Sequence, residues 1–169
     1  MCNKTSEKRT IIFGKPETTP CLIPVTHMST PNCVYEPFMV DGSCYKVTAL
    51  SLGTPHGAVI VDDVDAVNVA DIGAALGNHP LFPKGASIVF IQILDNKTVK
   101  SRLWQRGKGE TPFTAEAVCV AAVAAIMLHK VLTDKATVLM GGSCFEVEWS
   151  KAKEEVSLTA SADVLSKAV

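Results

Sequence analysis

The sequence has few aromatic residues and almost no net charge. Aromatic side chains make up 6% of the 169 residues, and 16 basic residues nearly balance 17 acidic ones, which gives a formal net charge of −1. The basic residues are scattered, unlike those of proteins that bind nucleic acid or membrane surfaces. We therefore expect neither partner, and we expect a core built from Val, Ile, Leu and Ala.

Metal-binding and membrane-spanning patterns are also missing. The six cysteines include no CxxC pair, and the four histidines are isolated, so their spacing predicts neither a zinc site nor a disulfide framework. The acidic run at residues 62–65 is interpreted as a solvated helix start rather than a divalent-metal loop. The longest apolar run, residues 117–128, is too short to cross a bilayer, and the polar start does not resemble a secretory signal. We expect a cytoplasmic protein with reduced thiols and no bound metal.

Length and hydropathy predict one domain. A chain of 169 residues with 47% hydrophobic residues is long enough to bury a single core, so we assign residues 1–169 to one domain. The polar residues 1–9 are expected to be flexible. Nine short runs, several of them rich in β-branched residues, predict strands at 10–13, 21–27, 44–52, 58–62, 87–94, 99–105, 137–140, 144–149 and 156–160.

Two helices are predicted among these strands. Residues 67–76 follow an acidic start and end before Gly77, whereas residues 117–128 are apolar on every side and alanine-rich. A helix without a polar face must be enclosed by protein, and alanines keep it thin. The short polar connections after residues 94 and 149 favour antiparallel pairing. We therefore predict an α+β fold in which a mixed, largely antiparallel curved sheet wraps around a central apolar helix beginning near Ala115.

The loop before the central helix has two interpretations. Gly107, Gly109 and a threonine ahead of a buried helix are typical of an anion-binding helix start. The plainer interpretation is that Thr114 is the N-cap and that Glu116 complements the helix dipole. The pattern alone favours the plainer interpretation.

Four segments then resemble the C-terminal half of diaminopimelate epimerase, a family of lysine biosynthesis. RLWQRGKGET at residues 102–111, followed by the alanine-rich helix, resembles the family's ERGAGET motif and its helix. YKVTALSLGTPHGAVIVDDVD resembles the VSMGNPHxVxFVDD segment, HPLFPKGASIVFIQI resembles HPxFPxGxNVxFVQ, and GGSCFEVEW with VSLTASA resembles the closing strands. The resemblance covers residues 45–162 and keeps the family's order.

The resemblance implies a fold and a chemistry. Family members consist of two similar halves, each a sheet around a central helix, with the active site between them. They invert an amino-acid α-carbon without a cofactor: one cysteine removes the α-proton, and another, from the opposite half, delivers a proton to the other face. Thiols suit this task because the thiolate is accessible near neutral pH. This chain matches only one half, and no cofactor is expected.

The departures from the family pattern fall on the expected site. The family's catalytic cysteine corresponds to Thr114, while Cys119 matches a later structural cysteine. Arg106 matches the family, but the other positions that the resemblance assigns to substrate binding are mostly substituted. These substrate-binding positions are Thr54, Ser87, Gln105, Arg106, Ala115 and Glu116.

Three functional hypotheses follow. The one we favour is a degenerate epimerase-like domain that lacks two-base epimerisation of its own and acts by binding or assembly. The alternative is a subunit of a cofactor-independent amino-acid epimerase or isomerase, or of a related dehydratase that uses threonine, whose other catalytic half comes from a second chain. A stable remnant without a role is the third. The expected partners are a second copy of the chain or an N-terminal-half-like protein, with an amino acid as a possible ligand.

Overall fold

A computed structural model describes residues 7–26 and 31–168. Within these ranges ten strands form one sheet. The strands are β1 (Lys8–Phe13), β2 (Glu36–Val40), β3 (Ser43–Ser51), β4 (Pro55–Ile60), β5 (Ser87–Ile93), β6 (Thr98–Gln105), β7 (Gly109–Thr111), β8 (Lys135–Met140), β9 (Ser143–Ser150) and β10 (Glu155–Ser161). The α-helices in the described ranges are α1 (Val69–Gly77), α2 (Ala115–Met127) and α3 (Ala162–Ala168).

The sheet is largely antiparallel, with two parallel pairs. Its order is β1-β10-β9-β8-β6-β5-β4-β3-β2, and β7 pairs with β6 beside this path. The parallel pairs are β4 with β5 and β6 with β8. Each parallel pair has a helix in the connection between its strands, α1 in the first and α2 in the second, because parallel neighbours require a crossover.

The central helix α2 is enclosed by the sheet. From Ala115 to Ile126 every residue except Glu116 is buried, and the helix contacts seven strands, β3 to β6 and β8 to β10. Its alanines allow close approach, and the inward residues of the strands, among them Phe145 and Leu158, fill the remaining space. Full burial of side chains of this size contributes about 1.5–3 kcal/mol each. The predicted α+β fold with a curved sheet around an apolar helix is confirmed.

A second hydrophobic cluster covers the outer face of strands β3 to β6. It contains Phe38, Phe82 and Phe90 together with Trp104, against which α1 packs. Strand β5 is therefore buried on both faces, as expected for a strand with parallel pairing and a helix on either side. This arrangement fixes the positions of the β5 and β6 ends, which carry several of the predicted site residues.

Several element boundaries differ from the predictions. The predicted strand 21–27 is not a strand in its described part: a 3-10 helix occupies Pro20–Leu22, and residue 27 lies outside the described residues. Prolines at positions 20 and 24 explain the difference, because proline cannot donate to a strand ladder. Helix α1 begins at Val69 rather than at residue 67, since the Asn68 side chain accepts from the Asp71 amide at 3.2 Å and caps the helix.

The N-terminal region and the cysteines add two findings. Lys8 and Arg9, within the stretch expected to be flexible, are paired with β10. Cys21 and Cys44 are free and exposed. Cys33 and Cys119 are free and buried. In the described ranges, no helix has the length and apolar character needed to cross a membrane.

Candidate functional site

The predicted site residues lie at one edge of the sheet. Thr54 directly precedes β4, Ser87 begins β5, Gln105 ends β6 and Thr114 caps α2. Strands β4 and β5 run parallel with His56 opposite Ser87, and β6 runs antiparallel to β5. The starts of β4 and β5 and the end of β6 therefore meet at the same edge, beside the start of α2.

Thr114 serves as the N-cap of α2. Its backbone is extended, with φ −131° and ψ 156°, and its Oγ1 accepts a hydrogen bond from the amide of Ala117 at 3.0 Å. A threonine hydroxyl in this position satisfies one of the amides that the first helical turn leaves without an intrahelical partner. Among the described residues, Thr114 Oγ1 has no hydrogen bond to a basic side chain.

The Glu116 carboxylate connects the first turn of α2 to the loop before β4. Its Oε2 accepts from the amide of Thr54 at 2.7 Å and from the Thr54 hydroxyl at 3.1 Å. The same oxygen would lie 3.5 Å from a Cβ atom added at Gly53. The Glu116 side chain is 21% exposed, so the carboxylate is partly shielded from water.

His56 is a buried imidazole beside this carboxylate. Its side chain is 3% exposed, and Nδ1 lies 3.0 Å from the carbonyl oxygen of Thr54. Because a carbonyl only accepts, Nδ1 carries the hydrogen and donates it. Nδ1 also lies 3.8 Å from Glu116 Oε2. Burial lowers the pKa of His56, and nearby Arg106 lowers it further, whereas Glu116 and the Thr54 carbonyl oppose the shift. The net direction is downward, so the imidazole is neutral at pH 7.

Arg106 and Ser87 form a second group of contacts at the same edge. The amide of Arg106 donates to Ser87 Oγ at 3.0 Å. The Arg106 guanidinium donates to the carbonyl oxygens of Lys84 at 2.8 Å and Gly85 at 3.4 Å. These bonds hold the turn that leads into β5.

Gln105 is bonded within its own hairpin. Its Oε1 accepts from the Thr111 hydroxyl at 3.0 Å, across the turn between β6 and β7. Ala115, the first residue of α2, is 7% exposed. The structure therefore places the predicted site residues at one sheet edge, and several of the polar ones use their side chains in intrachain bonds.

Sequence reasoning did not include His56 among the site residues, although the matching segment contains it. The available signal was the Pro-His dipeptide at positions 55 and 56, just before the strand predicted at 58–62, which on its own also describes an ordinary buried histidine. What gives His56 a place in the site is its contact with Glu116, which lies 60 positions away in the sequence.

Two cavities are lined by none of the predicted site residues. One of about 500 Å³ lies over the outer face of β8, β9 and β10, between residues such as Lys135 and Glu148. The other, of about 390 Å³, lies beside the end of β8, near Lys100 and Gly141. Within the described ranges, no group of three or more His, Cys, Asp and Glu side chains could hold a metal ion.

The fold places the chain in a recognisable structural class. It is similar to a hydroxyproline epimerase from Agrobacterium vitis with bound trans-4-hydroxy-L-proline, with a TM-score of 0.63 and 12% identity over 92% of this chain and 50% of that one. It is also similar to a predicted epimerase from Pseudomonas aeruginosa, with a TM-score of 0.59 and 14% identity over 94% of this chain and 57% of that one. At these identities the likeness shows a shared fold alone.

Sequence comparison gives the family. The diaminopimelate epimerase family model matches residues 48–164, and the chain belongs to this family. It is 33% identical to a diaminopimelate epimerase from Desulfovibrio desulfuricans over 90% of this chain and 55% of that protein. It is 38% identical to one from Acetivibrio thermocellus over 73% of this chain and 44% of that protein. The chain spans about half the length of the curated relatives it matches.

Proposed function

We propose that this chain is a diaminopimelate epimerase-family domain that does not carry out two-base epimerisation on its own and acts by binding or assembly. The observation that carries the proposal is the state of Thr114. At the position where the family resemblance implies a catalytic cysteine, the chain has a hydroxyl whose oxygen caps α2.

The chemistry of the hydroxyl supports this proposal. Removal of an α-proton requires a base, and an aliphatic hydroxyl does not ionise usefully near pH 7 without a strong base beside it. Cys119, the next thiol along the chain, does not replace it: this residue lies inside α2, is fully buried, and has a pKa raised by burial and by the charge of Glu116. A thiol in such surroundings stays protonated and is a poor nucleophile and base.

A second candidate function is one half of a split enzyme. The length of the matched relatives favours it, because they are about twice as long as the matched part of this chain. An N-terminal-half-like protein would then contribute the other wall of the site. In this version the partner's thiol would be the one acid or base, as in dehydratases that have threonine at one of the two cysteine positions, and Thr114 would occupy the other position.

The test is α-proton exchange in heavy water. The purified chain is incubated in D₂O with diaminopimelate and, separately, with proline, and loss of the α-proton signal is followed by ¹H NMR. We expect no exchange above that of a Thr114→Val control, which lacks the hydroxyl. Exchange by the chain alone would refute the proposed function, and exchange that appears only after addition of an N-terminal-half-like protein would establish the second candidate.

Assembly is tested by measuring the molecular mass of the chain in solution. We expect a homodimer or a complex with an N-terminal-half-like protein, because in the matched family the active-site edge lies between two halves. Light scattering across a concentration series measures the mass directly. A chain that remains a monomer at high concentration, with and without such a protein, would leave binding of a small ligand as the remaining form of the proposal.

A further inference from the structure

The Glu116 carboxylate lies in a cradle that has the features of a carboxylate-binding site. One oxygen accepts two hydrogen bonds from the same residue, from the Thr54 amide at 2.7 Å and from the Thr54 hydroxyl at 3.1 Å. The His56 ring lies 3.8 Å away and is fixed by its own bond to the Thr54 carbonyl. Short, charge-assisted bonds from an amide and a hydroxyl are how proteins hold the carboxylate of a bound molecule.

The cradle belongs to the loop before β4, whereas the carboxylate that fills it comes from α2, 62 positions further along the chain. The donors of the cradle are therefore independent of the element that supplies the anion. Thr54 is exposed, and the Glu116 side chain is partly exposed, so a dissolved anion could reach the donors if Glu116 left them.

We propose that Glu116 is an internal carboxylate ligand, which occupies the cradle formed by the amide and hydroxyl of Thr54 and thereby closes the site to small carboxylates. The location of the site rests on the proposed function. What the proposal adds is the class of ligand that the site excludes. Two carboxylates cannot share these two donors, and the negative charge of Glu116 repels a second anion a few ångströms away. A carboxylate ligand enters only when the Glu116 side chain leaves.

The experiment is chemical rescue of a truncated side chain. Glu116→Ala removes the internal carboxylate and leaves the donors of Thr54 in place. We expect its melting temperature to fall by about 2–4 °C or more relative to the unaltered chain, the size of shift that loss of one such interaction produces in a chain of this length. Sodium acetate should restore stability progressively with concentration, because a ligand that binds only the folded state stabilises it by mass action. Sodium chloride at equal ionic strength should not.

Two control variants separate the cradle from other effects of the charge. Glu116→Gln keeps an acceptor oxygen of the same reach, so the cradle stays filled and acetate should have no more effect than chloride. Asp163→Ala removes an exposed acid from the first turn of α3, where the described residues donate no comparable pair of hydrogen bonds to its carboxylate. Like Glu116→Ala, this variant loses a favourable helix-dipole interaction. Acetate should nevertheless not restore its stability.

An amide reporter locates the bound anion. In ¹H–¹⁵N spectra of Glu116→Ala, the Thr54 amide should shift on titration with acetate, and the shift should saturate. If Glu116→Ala is unfolded in chloride, refolding on addition of acetate is the expected rescue. No specific rescue, or a Thr54 amide that does not respond, would overturn the proposal. The α-proton exchange test has a different readout, so exchange by the unaltered chain would refute the proposed function without altering the outcome here.

Discussion

At the scale of single residues, Thr114 is the clearest case of a side chain with a measurable structural role. Its hydroxyl oxygen accepts from the amide of Ala117 in the first turn of a helix that is otherwise apolar. Without that oxygen, the amide lies at the end of a buried helix with no side-chain acceptor. This capping role does not require the hydroxyl to ionise.

Thr114→Ala should lower the free energy of unfolding by about 1 kcal/mol, within the 0.5–2 kcal/mol range for loss of an N-cap. Thr114→Ser keeps the hydroxyl and should change the free energy by much less. Urea denaturation of both variants measures the difference. Equal destabilisation by the two substitutions would contradict the capping role, because it would show that the methyl group rather than the oxygen matters.

His56 makes stability depend on pH. Its folded pKa is lowered, mainly by burial, whereas the unfolded chain binds a proton with a pKa of about 6.5. Above the unfolded value both states are neutral and the full stability is present. As pH falls below about 6.5 the unfolded state gains the proton first, so stability is lost until the folded pKa is reached.

Denaturant titrations between pH 7.5 and pH 5.5 test the direction in which stability changes with pH. The free energy of unfolding of the unaltered chain should fall toward pH 5.5, with a limiting slope of about 1.4 kcal/mol per pH unit for this one group. In His56→Gln this contribution should disappear and the profile should become flatter. A profile that is steeper in His56→Gln, or the same in both proteins, would show that His56 is not held neutral by the fold.

The contacts of Glu116 show what the sequence could not predict at this scale. Its place in the first turn of α2 followed from the helix pattern, and the expected dipole interaction needed only local sequence. Its hydrogen bonds to Thr54 join positions 62 residues apart, and no local periodicity or spacing encodes such a pair. The packing of α2 against β3, β4 and β5 brings these two positions together, and that packing depends on the tertiary fold rather than on local sequence.

At the scale of elements, the packing of α1 against β6 depends on two glycines. A Cβ atom at Gly73 would lie 2.4 Å from Cβ of Trp104, and one at Gly77 would lie 2.2 Å from its indole ring. These distances leave no room for a methyl group, so the helix can approach the tryptophan only because both positions lack a side chain. Trp104 is 8% exposed as a result.

Gly73→Ala should therefore destabilise the protein, against the intrinsic preference of helices for alanine. Helix propensity alone would favour alanine by roughly 1 kcal/mol, whereas overpacking of a tight contact costs about 1–3 kcal/mol. We expect chemical denaturation to give a lower free energy of unfolding, and we expect the fluorescence of Trp104 to change. Gly14→Ala is the matched control, because a Cβ there meets no atom within 4 Å. Stabilisation by Gly73→Ala would show that α1 can move away from β6 at little cost.

The elements that the sequence predicted well are those with a strong apolar signal. Helix α2 and the core strands β5, β6, β9 and β10 have runs or alternations that admit few other interpretations. Strand β2 was missed because Pro37 and Glu36 obscure its pattern, and β7 because it has only three residues and begins with Gly109. Both gain their stability from a neighbouring strand rather than from their own composition.

At the scale of the whole molecule, the described residues form two hydrophobic clusters on the two faces of one sheet, and the predicted site residues lie at one edge of that sheet. The sheet encloses α2 on the inside and is covered by α1 on the outside. The family match gives the chemistry to be tested, and the residues at the edge give reasons to expect that this half alone does not perform it.

Stereochemical inversion is the most direct measurement of that claim. The isolated chain is incubated with one pure stereoisomer of diaminopimelate, and the isomers are separated by chiral chromatography over a time course, with Thr114→Val as the reference for background. The account predicts that the starting isomer persists unchanged to the level of the reference. Formation of the other isomer by the chain alone, at a rate that Thr114→Val abolishes, would contradict it.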